Sequence, residues 1–396
     1  MEQKKIIELL NYNFYIIANT CVWSSSFNDM CGSIRNILEL VKVLDRKKIN
    51  HHIIGPKGAY LWLENEGLKS HHLITSRIGY KPFYLFSWVW VTLMTLLRVP
   101  QLKDNSILYS ESEFLPNTIP IIRMKKTAKN IKWICCVRSL APRQFYLKDF
   151  RFIKDLLYNF SQWLSAKLFI KYADLVFVVN SKIKEQLLLY KVPENKIRII
   201  NNGIDFNLLN NVLDNTKKEY DAVFVGRLMH HKGILDLVEI WSKVVKKIPE
   251  AKIAILGNGE KYYLEQIKKK IIQHKLEKSF LLLGFIDGNG KYKIMKKSKM
   301  LILPSYLEGK PNVFNEAMAC KLPVVTYELD YYKEFYGNLL NYVRKGDKEK
   351  FAQKIISLLN NKNMRLKQGR ANGDFINKYS WQNVITTNLS YIEAIL

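Results

Sequence analysis

Short apolar runs alternate with longer segments of helical period along this chain, and the rhythm occurs twice. In the first half the strand-like runs are residues 14–18, 52–55, 107–110, 133–137 and 175–179, with helical segments at 33–44, 83–97 and 149–172 between them. After Asn201 it restarts with runs at 221–225, 253–256, 280–283, 300–303 and 324–326, each followed by a helical segment. Strands alternating with helices of this length predict parallel βαβ units with right-handed crossovers. Two such series predict an α/β protein of two tandem doubly wound domains facing a central cleft. The expected domains are 1–200 and 201–380, with a seam at Asn201-Asn202-Gly203, where a glycine-containing turn interrupts the pattern. A length of 396 residues agrees, at roughly 100–200 residues per domain.

Charge narrows the partners. Lysine and arginine number 62 against 35 acidic residues, a formal net charge of +27. Residues 123–200 alone hold 17 basic and 5 acidic side chains, a net of +12. Such a field attracts polyanions: nucleic acid, anionic lipid or phosphorylated small molecules. Nucleic acid is set aside, because no recognised binding motif is present and the lysines are scattered rather than interleaved with aromatics. The five cysteines form no C-x-x-C pair, and the seven histidines have no zinc-like spacing to them. A reduced, cytoplasmic, metal-free protein is expected. The N-terminus lacks the apolar core of a signal peptide. The longest uncharged run, residues 82–97, is 16 residues long, short of the roughly 20 that span a bilayer.

Ligands of open parallel sheets bind at the carboxyl ends of strands, so the loops there carry the chemistry. The loop after 221–225 reads Gly226-Arg227-Leu228-Met229-His230-His231-Lys232-Gly233. Arg227 and Lys232 place a forked donor and a point charge beside a helix N-terminus, a combination that suits a diphosphate. The same residues also fit a solvated loop of a lysine-rich chain, and the loop alone does not separate the two. After 300–303 comes a loop with Glu308, then Gly309-Lys310-Pro311 and a helix bearing Glu316. Proline is tolerated in the first helical turn, so Glu308 belongs to the loop and Glu316 to the helix. The amides near Val313, Phe314 and Asn315 face the same crevice and could hold an anion. Gly257-Asn258-Gly259-Glu260 and Gly284-Phe285-Ile286 follow two further strands at the same sheet edge.

Taken together these elements resemble the glycosyltransferases of family 4, of the two-domain GT-B fold. The matching stretches are Asn202-Gly203-Ile204-Asp205, Gly226-Arg227 with Lys232-Gly233, Gly257-Asn258-Gly259-Glu260, Pro304-Ser305, and Glu308 to Glu316 with Ala317-Met318-Ala319. In the first half, Gly32-Ser33 at a helix start looks like the family's glycine loop facing the donor diphosphate. The resemblance implies two Rossmann-like domains, with 381–396 a helix returning to the N-terminal domain. It implies transfer of a sugar from a nucleotide-sugar to a saccharide acceptor, with retention and without a metal or other cofactor. Arg227 and Lys232 would bind the diphosphate, Glu316 the ribose hydroxyls and Glu308 the donor sugar. Gly32, Gly226, Gly257, Val313, Phe314 and Asn315 would line the donor, and Phe285 and Ile286 would meet the base.

Three departures from the family pattern stand out. Arg138-Ser139 occupies the place of the histidine common after the fifth strand. Lys321 stands where the helix bearing Glu316 usually ends in glycine. Thr326-Tyr327-Glu328-Leu329-Asp330 replaces a small, glycine-rich turn. A catalytically silent homologue acting in an assembly, and a same-fold nucleotide-sugar enzyme, therefore stay open beside the active transferase. Finally, Phe83, Tyr84, Phe86, Trp88 and Trp90 in the uncharged run, with the basic cluster Arg123, Lys125, Lys126, Lys129 and Lys132, predict peripheral attachment to the inner face of an anionic membrane. The acceptor is then expected to be a lipid-linked saccharide. Packing of the aromatic run under the sheet is the competing expectation.

Overall fold

The computed structural model describes residues 9–19, 32–65, 67–68, 71–76, 84–138, 151–213 and 217–396. Ser139, Phe83, Cys21 and Cys31 lie outside them. The chain divides into two compact units, Met1–Asn202 with Trp381–Leu396, and Gly203–Ser380.

The first unit is built on seven parallel strands: β1 (Asn13–Ile17), β2 (His51–Pro56), β3 (His71–Ser76), β4 (Ser106–Ser110), β5 (Ile131–Val137), β6 (Leu175–Val178) and β7 (Ile197–Ile199), in the order 3-2-1-4-5-6-7. The second has six: β8 (Ala222–Val225), β9 (Ile253–Leu256), β10 (Phe280–Gly284), β11 (Leu301–Leu303), β12 (Val324–Tyr327) and β13 (Asn341–Val343), ordered 10-9-8-11-12-13. Both orders reverse direction once, between β1 and β4 and between β8 and β11. At such a reversal neighbouring loops leave in opposite directions and open a crevice. Interior strands are apolar on both faces because helices cover both sides. β4 and β9, for example, are buried at every residue.

Three strands lie beyond the runs read from the sequence, and all three sit at sheet edges: β3, β7 and β13. An edge strand needs less apolar surface, and β7 and β13 have three residues each. The helix Trp381–Glu393 belongs with the first unit, where it packs on the helix Gly32–Arg46 that Gly32 opens. At the neck of the second unit Ile204 bridges Ser380 in parallel, and its amide donates to the Tyr379 carbonyl at 2.9 Å.

Lys321 does adopt the left-handed conformation, with φ 57°. Its amide donates to Met318 and that of Leu322 to Ala317, both at 2.9 Å, which closes the C-terminus of the helix Asn312–Ala319. Lysine there costs on the order of 1 kcal/mol relative to glycine. Within the aromatic run the tryptophans turn inward. Trp88 is buried against Phe114, with ring centroids 5.3 Å apart, and Trp90 is half-buried and donates to Ser76 Oγ at 3.3 Å. Trp88 is core, so it offers nothing to a membrane.

Candidate functional site

The loops that leave β8, β9 and β10 are stitched together by backbone. Gly226 N–H donates to Leu256 O at 3.0 Å, and Gly257 N–H donates to Gly284 O at 2.8 Å. A Cβ on Gly257 would lie 1.9 Å from Gly226 O, and its φ of +143° also disfavours a side chain. Gly257 is thus needed for loop-on-loop approach. Gly233 joins the other two loops: it is left-handed at φ 68°, and a Cβ there would meet Pro304 O at 1.9 Å. That contact sets the β8 loop against the β11 loop across the reversal point of the sheet. Tyr306 N–H, donating to His231 O at 2.8 Å, repeats the link.

Lys232 and Glu308, 76 positions apart in sequence, meet there. Lys232 Nζ donates to Glu308 Oε1 at 2.6 Å and to Oε2 at 2.8 Å. Their side chains are 16% and 8% exposed, so the pair is largely dehydrated yet still reachable from solvent. Arg227 lies exposed on the same loop. Burial first, and then the charge of Lys232, lower the His231 imidazole to about 4, so this ring is neutral at physiological pH.

The Glu308 loop is held from two directions. Tyr331 Oη donates to the Glu308 carbonyl oxygen. Asp236, in the first turn of the helix Ile234–Lys247, accepts from Tyr306 Oη, and from Tyr327 Oη at 2.9 Å, with Lys348 Nζ at 3.2 Å. Tyr327 comes from the segment that departs from the glycine-rich family pattern and Tyr331 directly follows it, so hydrogen-bonding aromatics occupy this turn and its exit. Lys310, next in the loop, lies 3.4 Å from the Phe335 ring centroid, and burial lowers its ammonium to about 7.

Glu316 faces a different cation. Lys291 Nζ donates to Glu316 Oε1 at 2.9 Å and lies 2.9 Å from Asp287 Oδ1. Burial opposes the charge on Lys291, but the two carboxylates outweigh it and hold the ammonium above its ordinary value. Phe285 and Ile286 are half-buried in the turn leading to the helix Gly288–Lys296, which carries Lys291. Phe314 packs edge-on against Tyr332 and Tyr336, and Asn315 accepts from Tyr336 Oη at 2.9 Å. Those two side chains are fully buried in the core. The Phe314 amide donates to Pro311 O at 3.1 Å, and Val313 beside it is half-buried.

In the first unit Arg138 Nε donates to Glu111 Oε1, at the carboxyl ends of β5 and β4. Glu111 is completely buried, and its Oε2 and Arg138 Nη1 find no hydrogen-bond partner among the described residues. Burial raises the Glu111 carboxyl against the opposing pull of Arg138, and pushes that of Glu113 up to about 7. Sequence reading missed Lys291, Asp236 and Glu111. The Asp287–Lys291 spacing of four on one helix was a signal for the first. Asp236 and Glu111 acquire partners only through tertiary contacts.

Comparison with known proteins follows this geometry. Residues 205–373 match the model for glycosyl transferases group 1, and residues 32–208 match that for glycosyltransferase family 4. An uncharacterized glycosyltransferase of Methanocaldococcus jannaschii is 29% identical over 67% of this chain and 66% of its own length. A poly(glycerol-phosphate) alpha-glucosyltransferase of Bacillus subtilis is 32% identical over 54% of this chain and 31% of its own. The matched part thus spans less than two thirds of either relative. Among solved structures, HepE of Anabaena, in complex with UDP-glucose, superposes with a TM-score of 0.74 at 13% identity, covering 97% of this chain and all of that one. At that identity the likeness is one of fold, and the fold is GT-B.

Proposed function

The chain belongs to the family 4 glycosyltransferases, and from that premise we propose that it moves a sugar from a nucleotide-sugar to a saccharide acceptor with retention of configuration. The observation that carries this reading is the meeting of Lys232 with Glu308 across the reversal point of the second sheet, with Arg227 on the same loop. A diphosphate gives Lys232 a second anionic partner. As Lys232 turns to it, Glu308 is released to accept hydrogen bonds from sugar hydroxyls. Glu316 retains lone pairs beside Lys291 for the ribose hydroxyls, and Phe285 and Ile286 meet the base.

In the reaction the bond from the anomeric carbon to the diphosphate oxygen breaks, a bond to an acceptor hydroxyl oxygen forms with the same configuration, and the hydroxyl proton passes to the departing diphosphate. Charge collects on the departing diphosphate, where Arg227 and Lys232 neutralise it. Each donor of this kind in a water-poor site is worth roughly 3–4 kcal/mol. The reading gives that role to the two cations and requires no metal. The polymer named for the Bacillus relative supports a glycopolymer acceptor, which we take to be lipid-linked and met by a cytoplasmic enzyme at the inner membrane face. No helix among the described residues is long and apolar enough to cross a membrane.

A thermal-shift panel of nucleotides and nucleotide-sugars, followed by donor hydrolysis and transfer, tests the assignment. Stabilisation by one nucleotide and its sugar conjugates, with turnover, is expected. Binding without turnover would instead favour a silent homologue, the alternative that Arg138 in the histidine position keeps open. No response to any member of the panel sinks both.

A further inference from the structure

Two helices of the first unit expose a large apolar stripe while burying polar side chains beside their apolar ones, Trp88 and Val91 in the first and Phe169 in the second. In the helix Tyr84–Leu97, Phe86, Val89, Leu93 and Leu97 are exposed while Ser87 and Thr95 are buried. In the helix Arg151–Tyr172, Leu156, Phe160 and Trp163 are exposed while Ser161, Gln162 and Ser165 are buried. Their spacing places each exposed set on one face, where an ordinary surface helix carries polar residues. The buried polar groups are satisfied. Thr95 Oγ1 donates to Asn19 Oδ1 at 3.2 Å, Gln162 Nε2 donates to Glu113 Oε1 at 3.0 Å, and Ser165 Oγ lies 3.3 Å from Thr118 Oγ1. The outward aromatics meet one another, Phe86 with Trp90 at 6.3 Å and Phe160 with Trp163 at 6.0 Å.

The helix Leu115–Met124 packs against both, so the three share one face of the sheet. Together they hold a single acidic residue, Asp155. Exposed cations gather at their C-terminal ends: Arg98, Arg123, Lys126, Lys167 and Lys171. Arg123 Nη1 donates to Leu96 O at 2.6 Å, and Lys167 Nζ lies 5.8 Å from the Trp163 ring centroid. Apolar stripes are therefore continuous with a cationic margin. Water penalises the first, and a phosphate-bearing surface attracts the second.

We propose that this three-helix face rests on an anionic lipid bilayer, with Phe86, Val89, Leu93, Phe160 and Trp163 entering the acyl boundary and the basic ends meeting lipid phosphates. The proposal rests on the reading of a lipid-linked acceptor and deepens it by naming the surface that meets the membrane. An uncharged partner protein would not need the cationic margin, and a second copy would set that margin against itself.

Co-sedimentation of the full chain compares phosphatidylcholine vesicles with vesicles containing about a third phosphatidylglycerol. Binding to the anionic vesicles at physiological salt is expected. Lys167→Gln with Lys171→Gln should weaken it roughly thirtyfold, since each basic group near the surface is worth about fivefold. Phe160→Ser with Trp163→Ser should abolish binding at physiological salt, where charge alone is screened, while leaving the melting temperature unchanged or raised. Transfer to a water-soluble saccharide should be unaffected by either pair, so loss of vesicle binding and loss of the enzyme reading are separable. Wild-type protein that stays in the supernatant overturns the proposal. So does concentration-dependent self-association, by light scattering, that disappears with Phe160→Ser and Trp163→Ser in a protein that binds no vesicles.

Discussion

The two sheets reverse strand order at equivalent places, and each gathers a cation and a carboxylate at its carboxyl edge, but the two pairs are built in opposite ways. In the second unit the reversal point holds Lys232 and Glu308, a flexible ammonium on a carboxylate, dehydrated but open to exchange. In the first unit the ends of β4 and β5, one strand along from the reversal, hold Glu111 and Arg138, a buried pair with one oxygen and one nitrogen unmatched among the described residues. One arrangement can trade partners with an incoming anion. The other is locked, because separating it would strand a charge in a medium that cannot solvate it. Shared topology fixes where charges gather, and local burial decides whether they act or hold.

The largest expected effect is on the locked pair. Glu111→Ala leaves Arg138 without its carboxylate and should destabilise the first unit by about 3–5 kcal/mol in chemical denaturation. Lys232→Ala should do the converse, lowering turnover with a verified donor by about 100- to 1000-fold while the denaturation midpoint moves little. Equal loss of stability in the two variants would erase the distinction between them.

Acidity sharpens the contrast, because the two regions respond with opposite sign. Burial raises Glu113 from 4.5 to about 7, so the fold binds a proton that the unfolded chain releases. Its contribution is complete below pH 4.5 and is lost as pH rises toward 7, by about 3 kcal/mol. His231, lowered from 6.5 to about 4, contributes fully above pH 6.5 and is lost on acidification toward pH 4, by a similar amount. Stability followed against pH should show both slopes, the first flattened by Glu113→Gln and the second by His231→Gln. The smallest effect is a gain: Lys321→Gly should stabilise the second unit by about 1 kcal/mol, read as a raised melting temperature, by relieving a left-handed lysine.

Interior strands were legible because burial on both faces demands an apolar run, as in residues 253–256 and 133–137. β3, β7 and β13 were not, since at an edge His71, Arg198 and Asn341 are acceptable strand residues. Lys232, Glu308 and Glu316 were legible as charges at strand ends. Their pairing was not, because Lys291 reaches Glu316 only once β10 and β11 have taken their places in the sheet. The aromatic run misled in a specific way. Trp88 and Phe86 are two residues apart and equally apolar, yet Phe114 covers the first and nothing in the sequence says which. The outward stripe of Leu156, Phe160 and Trp163 went unread because its helical period is also that of a core-facing helix.

The neck of the second unit, where Ile204 is bonded to Tyr379 and bridged to Ser380, has a mechanical consequence. Because the chain both enters and leaves through it, and the segments on either side, up to Asn202 and from Trp381 on, belong to the first unit, the second unit is an insertion in the first. Tension applied between the helices Gly32–Arg46 and Trp381–Glu393 is carried first by their own contact and then by the clasp at 204 and 380. The second unit bears no load until that clasp opens. A stretching experiment should therefore show the first unit yielding before the second lengthens, whatever their relative stabilities in denaturant.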